Sequence, residues 1–111
     1  MFERGTVLTV SLGGGSGHKP RPAIVVQASN LDFPRTLVVV PLTRSESTPP
    51  DLKPLFLPDE TNGLIEPSTL MIQRINSVRK SDIGKVVGTM SQDDMDRVDA
   101  ALSLLLGLDR V

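Results

Sequence analysis

Residues 6–12 alternate apolar and hydroxyl side chains, a period of two that predicts a strand with one buried face. Residues 23–27 ("AIVVQ") and 37–42 ("LVVVPL") are continuous apolar runs rich in Val, which predict strands buried on both faces. Pro41 has no N–H to give, and its place in the second run marks a sheet edge or the end of the strand. Residues 55–57 predict a short strand ended by Pro58, and residues 70–73 and 86–90 complete the set. The connections "ASNLDFPR", "SESTPPD" and "PDETNGLIEP" are polar and turn-rich, with Asn62-Gly63 as the strongest turn signal. Many short strands separated by turns predict a mainly β fold, a small SH3-like partly open barrel of antiparallel strands.

At Ser91 the period changes to that of a helix. Met95, Val98, Leu102 and Leu105 fall on one stripe, widened by Ala101 and Leu106. Ser91 is placed as the N-cap, Asp93 and Asp94 complement the helix dipole in the first turn, and Gly107 is the stop. The predicted C-terminal helix packs on the barrel. The run Leu104-Leu105-Leu106 is wider than one stripe, which fits either a deeply buried helix or a subunit interface.

A chain of 111 residues is the size of one domain with one modest core, here 1–111. It has no cysteine and one histidine, which excludes a disulfide framework, thiolate zinc sites and a histidine-rich metal site; no metal ligand set is expected. The first ten residues carry Glu3 and no long apolar stretch, so neither a signal peptide nor a membrane span is expected and the chain reads as cytoplasmic. Net charge is −1, but residues 91–111 carry −3 and the remainder +2. That is no polycation that grips nucleic acid by bulk charge; any nucleic acid would have to be handled in a compact cleft. Three Phe and no Tyr or Trp argue against a base-stacking platform.

The candidate chemistry begins at "GGGSGHKPRPAIVVQ", residues 13–27. A phosphate-cradling loop would open a helix, whereas here Lys19 is followed by Pro20 and then a strand, so the Walker and dinucleotide readings fail on context. What remains is a hairpin tip with an unusual exit. Lys19 and Arg21 each precede a proline, and Pro20 and Pro22 fix their own φ angles. Arg21 thus passes from a loop into a stiff strand within about one residue, which holds a permanently charged two-pronged donor in one direction. The plain alternative is a surface arginine beside a turn.

"RGTVLTVSL", "GHKPRPAIVVQ", "TLVVVPLTR" and "MDRVDAALSLLLGL", in this order and spacing from Arg4 to Leu108, resemble the MazF/PemK family of toxins from type II toxin–antitoxin pairs. The resemblance implies an SH3-like barrel with a C-terminal helix, a homodimer, and a metal-independent, sequence-selective endoribonuclease that cleaves single-stranded RNA without a cofactor. It carries the arginine of the Arg-Pro motif onto Arg21 and the threonine ending the next strand onto Thr43, the implied catalytic pair. The later segment "MIQRINSVRK" departs from the family pattern: Gln73 stands for an acidic residue and Asn76 for a basic one. The glycine loop lacks the family's usual Glu and offers His18 instead. RNA binding is assigned to Lys19, Arg44, Gln73, Arg74, Ser77 and Arg79. The implied partner is an antitoxin whose acidic C-terminal segment covers the site.

RNA cleavage of this kind uses the ribose 2′-OH as internal nucleophile and leaves a cyclic phosphate and a 5′-OH. Arg21 suits stabilisation of the extra phosphoryl charge, and Thr43 suits a hydrogen bond to the same phosphate; the plain alternative for Thr43 is a turn hydroxyl. His18 has the intrinsic pKa suited to proton transfer, and the plain alternative is a solvated loop residue. A CcdB-like toxin that inhibits DNA gyrase through C-terminal residues and cleaves nothing is the alternative function. A proline-peptide SH3 module lacks the aromatic groove it would need.

Overall fold

The computed structural model describes residues 2–11, 19–44 and 54–108. Within them the elements run β1 (Thr6–Val10), β2 (Arg21–Val25), β3 (Thr36–Thr43), β4 (Leu55–Phe56), β5 (Ser68–Leu70), β6 (Asn76–Arg79), β7 (Ile83–Thr89) and α1 (Gln92–Leu106). The strands form one antiparallel sheet in the order β4-β5-β3-β2-β1-β7, with β6 also paired to β3. The sheet curls into a half-barrel, and β1 and β7 meet through two register shifts that bend the sheet there.

The apolar runs follow from burial on both faces. Val7, Ile24 and Val40 lie in one cross-strand row and pack with Met95, Val98 and Ala101 of α1. Their neighbours Leu8, Val10, Ala23, Val25, Leu37 and Val39 point the other way and form a second core with Val78. A strand with water on one face would need polar residues at alternate positions; these strands have no such face.

Pro41, expected to mark a sheet edge or the end of the strand, does neither: β3 runs on to Thr43 and lies inside the sheet order. It sits within β3, paired with Ala23 of β2, and its carbonyl accepts the Met71 N–H at 2.9 Å on the opposite edge. The polar groups of Pro41 therefore face β5 and β6, and a residue with no N–H interrupts the ladder on that edge. β5 pairs only with Leu42 and Thr43, β6 only with Thr36–Val39, and between them the chain detours through a 3₁₀ turn at Ile72–Arg74. The expected strand over residues 70–73 is thus mostly turn. β6 was not expected at all: in "NSVR" only Val78 is buried, so no alternation marks it. β7 begins at Ile83, ahead of the expected 86, and β1 ends at Val10.

The helix matches its sequence signals closely. Ser91 Oγ accepts the Asp94 N–H at 3.1 Å, Asp93 and Asp94 occupy the first turn, and Gly107 ends it with φ +71°. Leu108 N–H reaches back to the Ser103 carbonyl at 2.8 Å, which completes the C-cap. The expected inclusion of Leu106 in the buried stripe is corrected: it is exposed, as are Leu104 and Leu108. α1 settles on its Ala101 side, where the smallest side chain of the stripe permits close approach. No described helix is long and apolar enough to cross a membrane.

The Asn62-Gly63 signal is a turn, but within a compact irregular loop. Asn62 is fully buried; its Oδ1 accepts the Asp59 and Leu64 N–H groups, and its Nδ2 donates to the Leu57 carbonyl at 2.9 Å. Asp59 Oδ1 in turn accepts the Thr61 and Asn62 N–H groups.

Candidate active site

In the β2–β3 pair Ala23 lies opposite Pro41, Ile24 opposite Val40 and Val25 opposite Val39. The β2–β3 pairs end at Ala23–Pro41; two residues beyond, Arg21 pairs with Val10 of β1 and Thr43 with Thr69 of β5, both on the same alternate side as Ala23 and Pro41. Alternation also decides the kind of pairing. Val26 N–H donates to the Val38 carbonyl at 3.2 Å, so the hydrogen-bonded positions include Val26 and Ile24, while Ala23 and Arg21 fall between them. Pro41, with no N–H, is at home in such a position. In non-hydrogen-bonded pairs side chains on one face approach most closely, with Cβ atoms about 4.5–5.5 Å apart. Arg21 and Thr43 thus project together, on the face away from α1.

Both line a cleft of about 520 Å³, with Pro41, Leu42, Arg44, Met71 and Arg74. Each basic group arrives by a different route. Arg21 opens β2 behind its two prolines, Arg44 follows the last residue of β3, and Arg74 ends the 3₁₀ turn that Pro41 imposes. Arg74 thus brings a third guanidinium to the cleft lining. Arg44 Nε pairs with Glu66 at 2.9 Å, but no carboxylate among the described residues pairs with Arg21 or Arg74. Guanidiniums gathered in one concave surface with little compensation leave a positive field that favours an anion. Thr43 adds a half-buried hydroxyl from a strand end fixed by β2 on one side and Thr69 of β5 on the other.

The remaining sequence candidates divide. Lys19 is exposed and lines a neighbouring hollow that Arg21 and Arg44 also line. Gln73 is exposed in the 3₁₀ turn beside Arg74. Ser77 and Arg79 are not brought to the cleft. They pair with Val38 and Thr36, whose side chains alternate away from the Pro41 and Thr43 face. Thr36 is also at the far end of β3, roughly 23 Å from Thr43 at strand rise. Arg79 is held there by Asp82, with Nε–Oδ2 at 3.0 Å. His18 lies outside the described residues, as do the glycines before it.

The structure adds two residues that sequence reasoning did not assign. Asn76, opposite Val39, stands on the cleft face and lines a shallow extension of about 350 Å³ with Pro41, Arg74 and Ile75. Lys85 of β7 lines the second hollow together with Arg21. Neither position carries a local signal; each is near the cleft because of strand pairing between distant segments. Among the described residues no three His, Asp or Glu side chains gather in a metal-binding group.

The profile of the family described as PemK-like, MazF-like toxin of type II toxin-antitoxin system matches residues 3–106. A probable endoribonuclease MazF from Mycolicibacterium smegmatis (strain ATCC 700084 / mc(2)155) is 34% identical over 107 residues, covering 96% of this chain and 98% of that protein. Among solved structures, an endoribonuclease in complex with its cognate antitoxin from a mycobacterial species superposes with a TM-score of 0.76 over 100% of both chains, at 22% identity. The Mycobacterium tuberculosis toxin MazF-mt6 superposes with a TM-score of 0.73 over 95% of this chain and 99% of its own, at 18% identity. At such identities the superpositions speak for the half-barrel with its terminal helix; the family profile, matched along nearly the whole chain, speaks for descent. This chain belongs to the PemK-like, MazF-like toxins of type II toxin–antitoxin systems.

Proposed function

We propose that this toxin is an endoribonuclease that cleaves single-stranded RNA in the cleft between Arg21, Thr43 and Arg74. The observation that carries the reading is the single cleft that Arg21, Thr43, Arg44 and Arg74 line together. The 34% identity to a protein named as a probable endoribonuclease supports it. The gyrase-inhibitor alternative is not favoured, since the family match and the relatives' names both point to nucleases.

The chemistry follows from what the side chains can do. The ribose 2′-OH attacks the adjacent phosphorus; the new O–P bond closes a 2′,3′-cyclic phosphate, and the P–O5′ bond breaks. One proton leaves the 2′-OH and one arrives on the 5′-oxygen, so a free 5′-OH results. The nucleophile comes from the substrate, and no metal-activated water enters the scheme. DNA lacks that hydroxyl and is not cut. Arg21 meets the extra charge on the non-bridging oxygens with two parallel N–H donors, and the Thr43 hydroxyl donates to the same phosphate. Arg74 and Arg44 hold the flanking backbone. His18, with an intrinsic pKa near neutrality, is our candidate for proton transfer.

The whole chain acts as one cytoplasmic domain, paired as a homodimer for which the exposed Leu104, Leu106 and Leu108 offer an apolar surface. Its partner is an antitoxin whose acidic C-terminal segment competes with RNA for the arginines; the complex of a structural relative with its cognate antitoxin supports such a partner. Incubation of the purified protein with a long transcript in EDTA tests the function. Fragments with cyclic-phosphate ends are expected from the wild type and not from Arg21→Ala; intact RNA together with inhibited DNA supercoiling would establish the gyrase reading instead.

A further inference from the structure

The cleft is not the only basic hollow. A second one, of about 510 Å³, lies beyond Arg21 and Arg44, which line both. Those two residues form the rim where β2 begins and β3 has just ended, so the hollows meet over their guanidiniums. The second hollow adds the ammonium groups of Lys19 and Lys85; its one carboxylate among the described residues, Glu66, is paired with Arg44 at 2.9 Å. Lys85 is set in place by its own backbone: its N–H donates to Thr9 Oγ1 at 3.1 Å, across the irregular β1–β7 pairing.

The hollow also has an apolar part. Ile65 is 95% exposed, an extreme value for a β-branched aliphatic side chain, beside the buried Leu64. It is not on a loose loop. Asn62 ties this segment together with its buried amide, and Gly63, at φ +71°, lies so close to β7 that a Cβ would come within 2.0 Å of the Val87 carbonyl. The fold thus holds an apolar side chain in water, in one hollow with two lysines that form no ion pair among the described residues, next to the cleft. A ligand with an apolar face and an anionic link satisfies both, and a nucleotide is such a ligand.

We propose that this second hollow is a subsite for the nucleotide next to the scissile phosphate, with Lys85 binding its phosphate and Ile65 packing against its base. The proposal rests on the endoribonuclease reading and extends it: Lys85 becomes a positioning residue for an RNA strand that crosses the Arg21–Arg44 rim. An acidic peptide would also be drawn to the lysines, but continuity with the cleft through Arg21 favours the strand being cut.

The test pairs a protein change with a substrate change. RNA oligonucleotides spanning a mapped cleavage site carry, one linkage at a time, a neutral 2′-deoxy methylphosphonate, with the 2′-deoxy phosphodiester as reference. At one linkage beside the scissile bond, neutralisation is expected to lower kcat/KM of the wild type about tenfold, mainly through KM. Lys85→Ala, at an exposed position, is expected to show the same loss on the charged substrate and no further loss on the neutral one, and Lys85→Arg to restore most of it. Ile65→Ser is expected to raise KM with little change in melting temperature. Separately, an uncleavable 2′-deoxy oligonucleotide is titrated by fluorescence anisotropy against salt. Lys85→Ala is expected to flatten the slope of log K against log salt by about 0.7, the single-strand value for one phosphate. An unchanged slope, or equal methylphosphonate penalties in wild type and Lys85→Ala, overturns the subsite. Failure of the wild type to cut any RNA overturns the nuclease reading, while the anisotropy slope still decides the subsite.

Discussion

Arg21 and Thr43 line one cleft, one as the first residue of β2 and the other as the last of β3, each two residues beyond the paired Ala23 and Pro41. Neither sits on a free loop. The pairing that buries Ala23, Val25, Val39 and Val40 also fixes where the two strands emerge, so core packing sets the spacing of the site.

Replacing Arg21 with Ala should lower the cleavage rate by two to three decades, equivalent to about 3–4 kcal/mol of lost charge stabilisation. Arg21 is exposed and outside both cores, so its melting temperature should stay near that of the wild type. Arg21→Lys should recover little, because a point charge replaces a planar fork. Single-turnover cleavage with parallel thermal melts checks this; a fully active Arg21→Ala would remove the residue from the chemistry.

Thr43→Val keeps the shape and removes the hydroxyl. A hydrogen bond to a charged phosphate contributes about 1.5–3 kcal/mol, so kcat should fall by about one to two decades. The loss should appear in kcat more than in KM if the bond strengthens as charge develops. Equal activity of Thr43→Val and wild type would reduce Thr43 to a strand end.

Arg74 and Asn76 lie on the cleft side of the broken ladder, whereas Ser77 and Arg79 lie on the other face of β6. Arg74→Ala and Asn76→Ala should therefore weaken cleavage or change the cleaved sequence, and Ser77→Ala and Arg79→Ala should do neither. Cleavage-site mapping on a transcript pool separates the two pairs. A strong effect of Arg79→Ala alone would mean that a second copy brings that face to the RNA.

Asn62→Ala strips the buried acceptor of the Asp59 and Leu64 N–H groups and the donor to the Leu57 carbonyl. Leaving those groups unpaired in the interior should cost about 2–3 kcal/mol, and the melting temperature should fall by about 10 °C or more. Urea denaturation measures it directly.

Acid should loosen the same loop. The Thr61 and Asn62 backbone N–H groups bonded to Asp59 hold its carboxyl below the ordinary value of 3.8. A carboxylate whose pKa is lower in the folded state contributes stability above its unfolded pKa, and loses it as pH falls through the folded value. The contribution should be fully present at neutral pH and fade only below about pH 4. Asp59→Asn should lack this part of the acid dependence, measured as melting temperature between pH 3 and 7; identical profiles would assign the acid sensitivity elsewhere.

The helix was legible because its signals are local. Ser91, Asp93, Asp94 and Gly107 act within one turn of themselves, and the stripe from Met95 to Leu105 repeats at a fixed interval. The buried strands were legible for a similar reason, since burial on two faces demands unbroken Ile, Val and Leu. β6 was not, because "NSVR" has one buried side chain and becomes a strand only by pairing with Thr36–Val39. Pro41 was misjudged because a missing N–H matters only on the edge that would have used it, and sequence does not say which edge that is.

The sequence by itself determined the two-faced strands, the capped helix, and the stiff arginine and strand-end threonine that identify the family. Only the tertiary structure decided that Arg21 and Thr43 line one cleft, that the detour opposite Pro41 brings Arg74 there, and that Arg79 is turned away. The physical reason is that hydrophobic period and capping are properties of neighbouring residues. A catalytic cleft depends on register and pleat between strands far apart in the chain, and a one-residue slip would send each of those side chains to the other face.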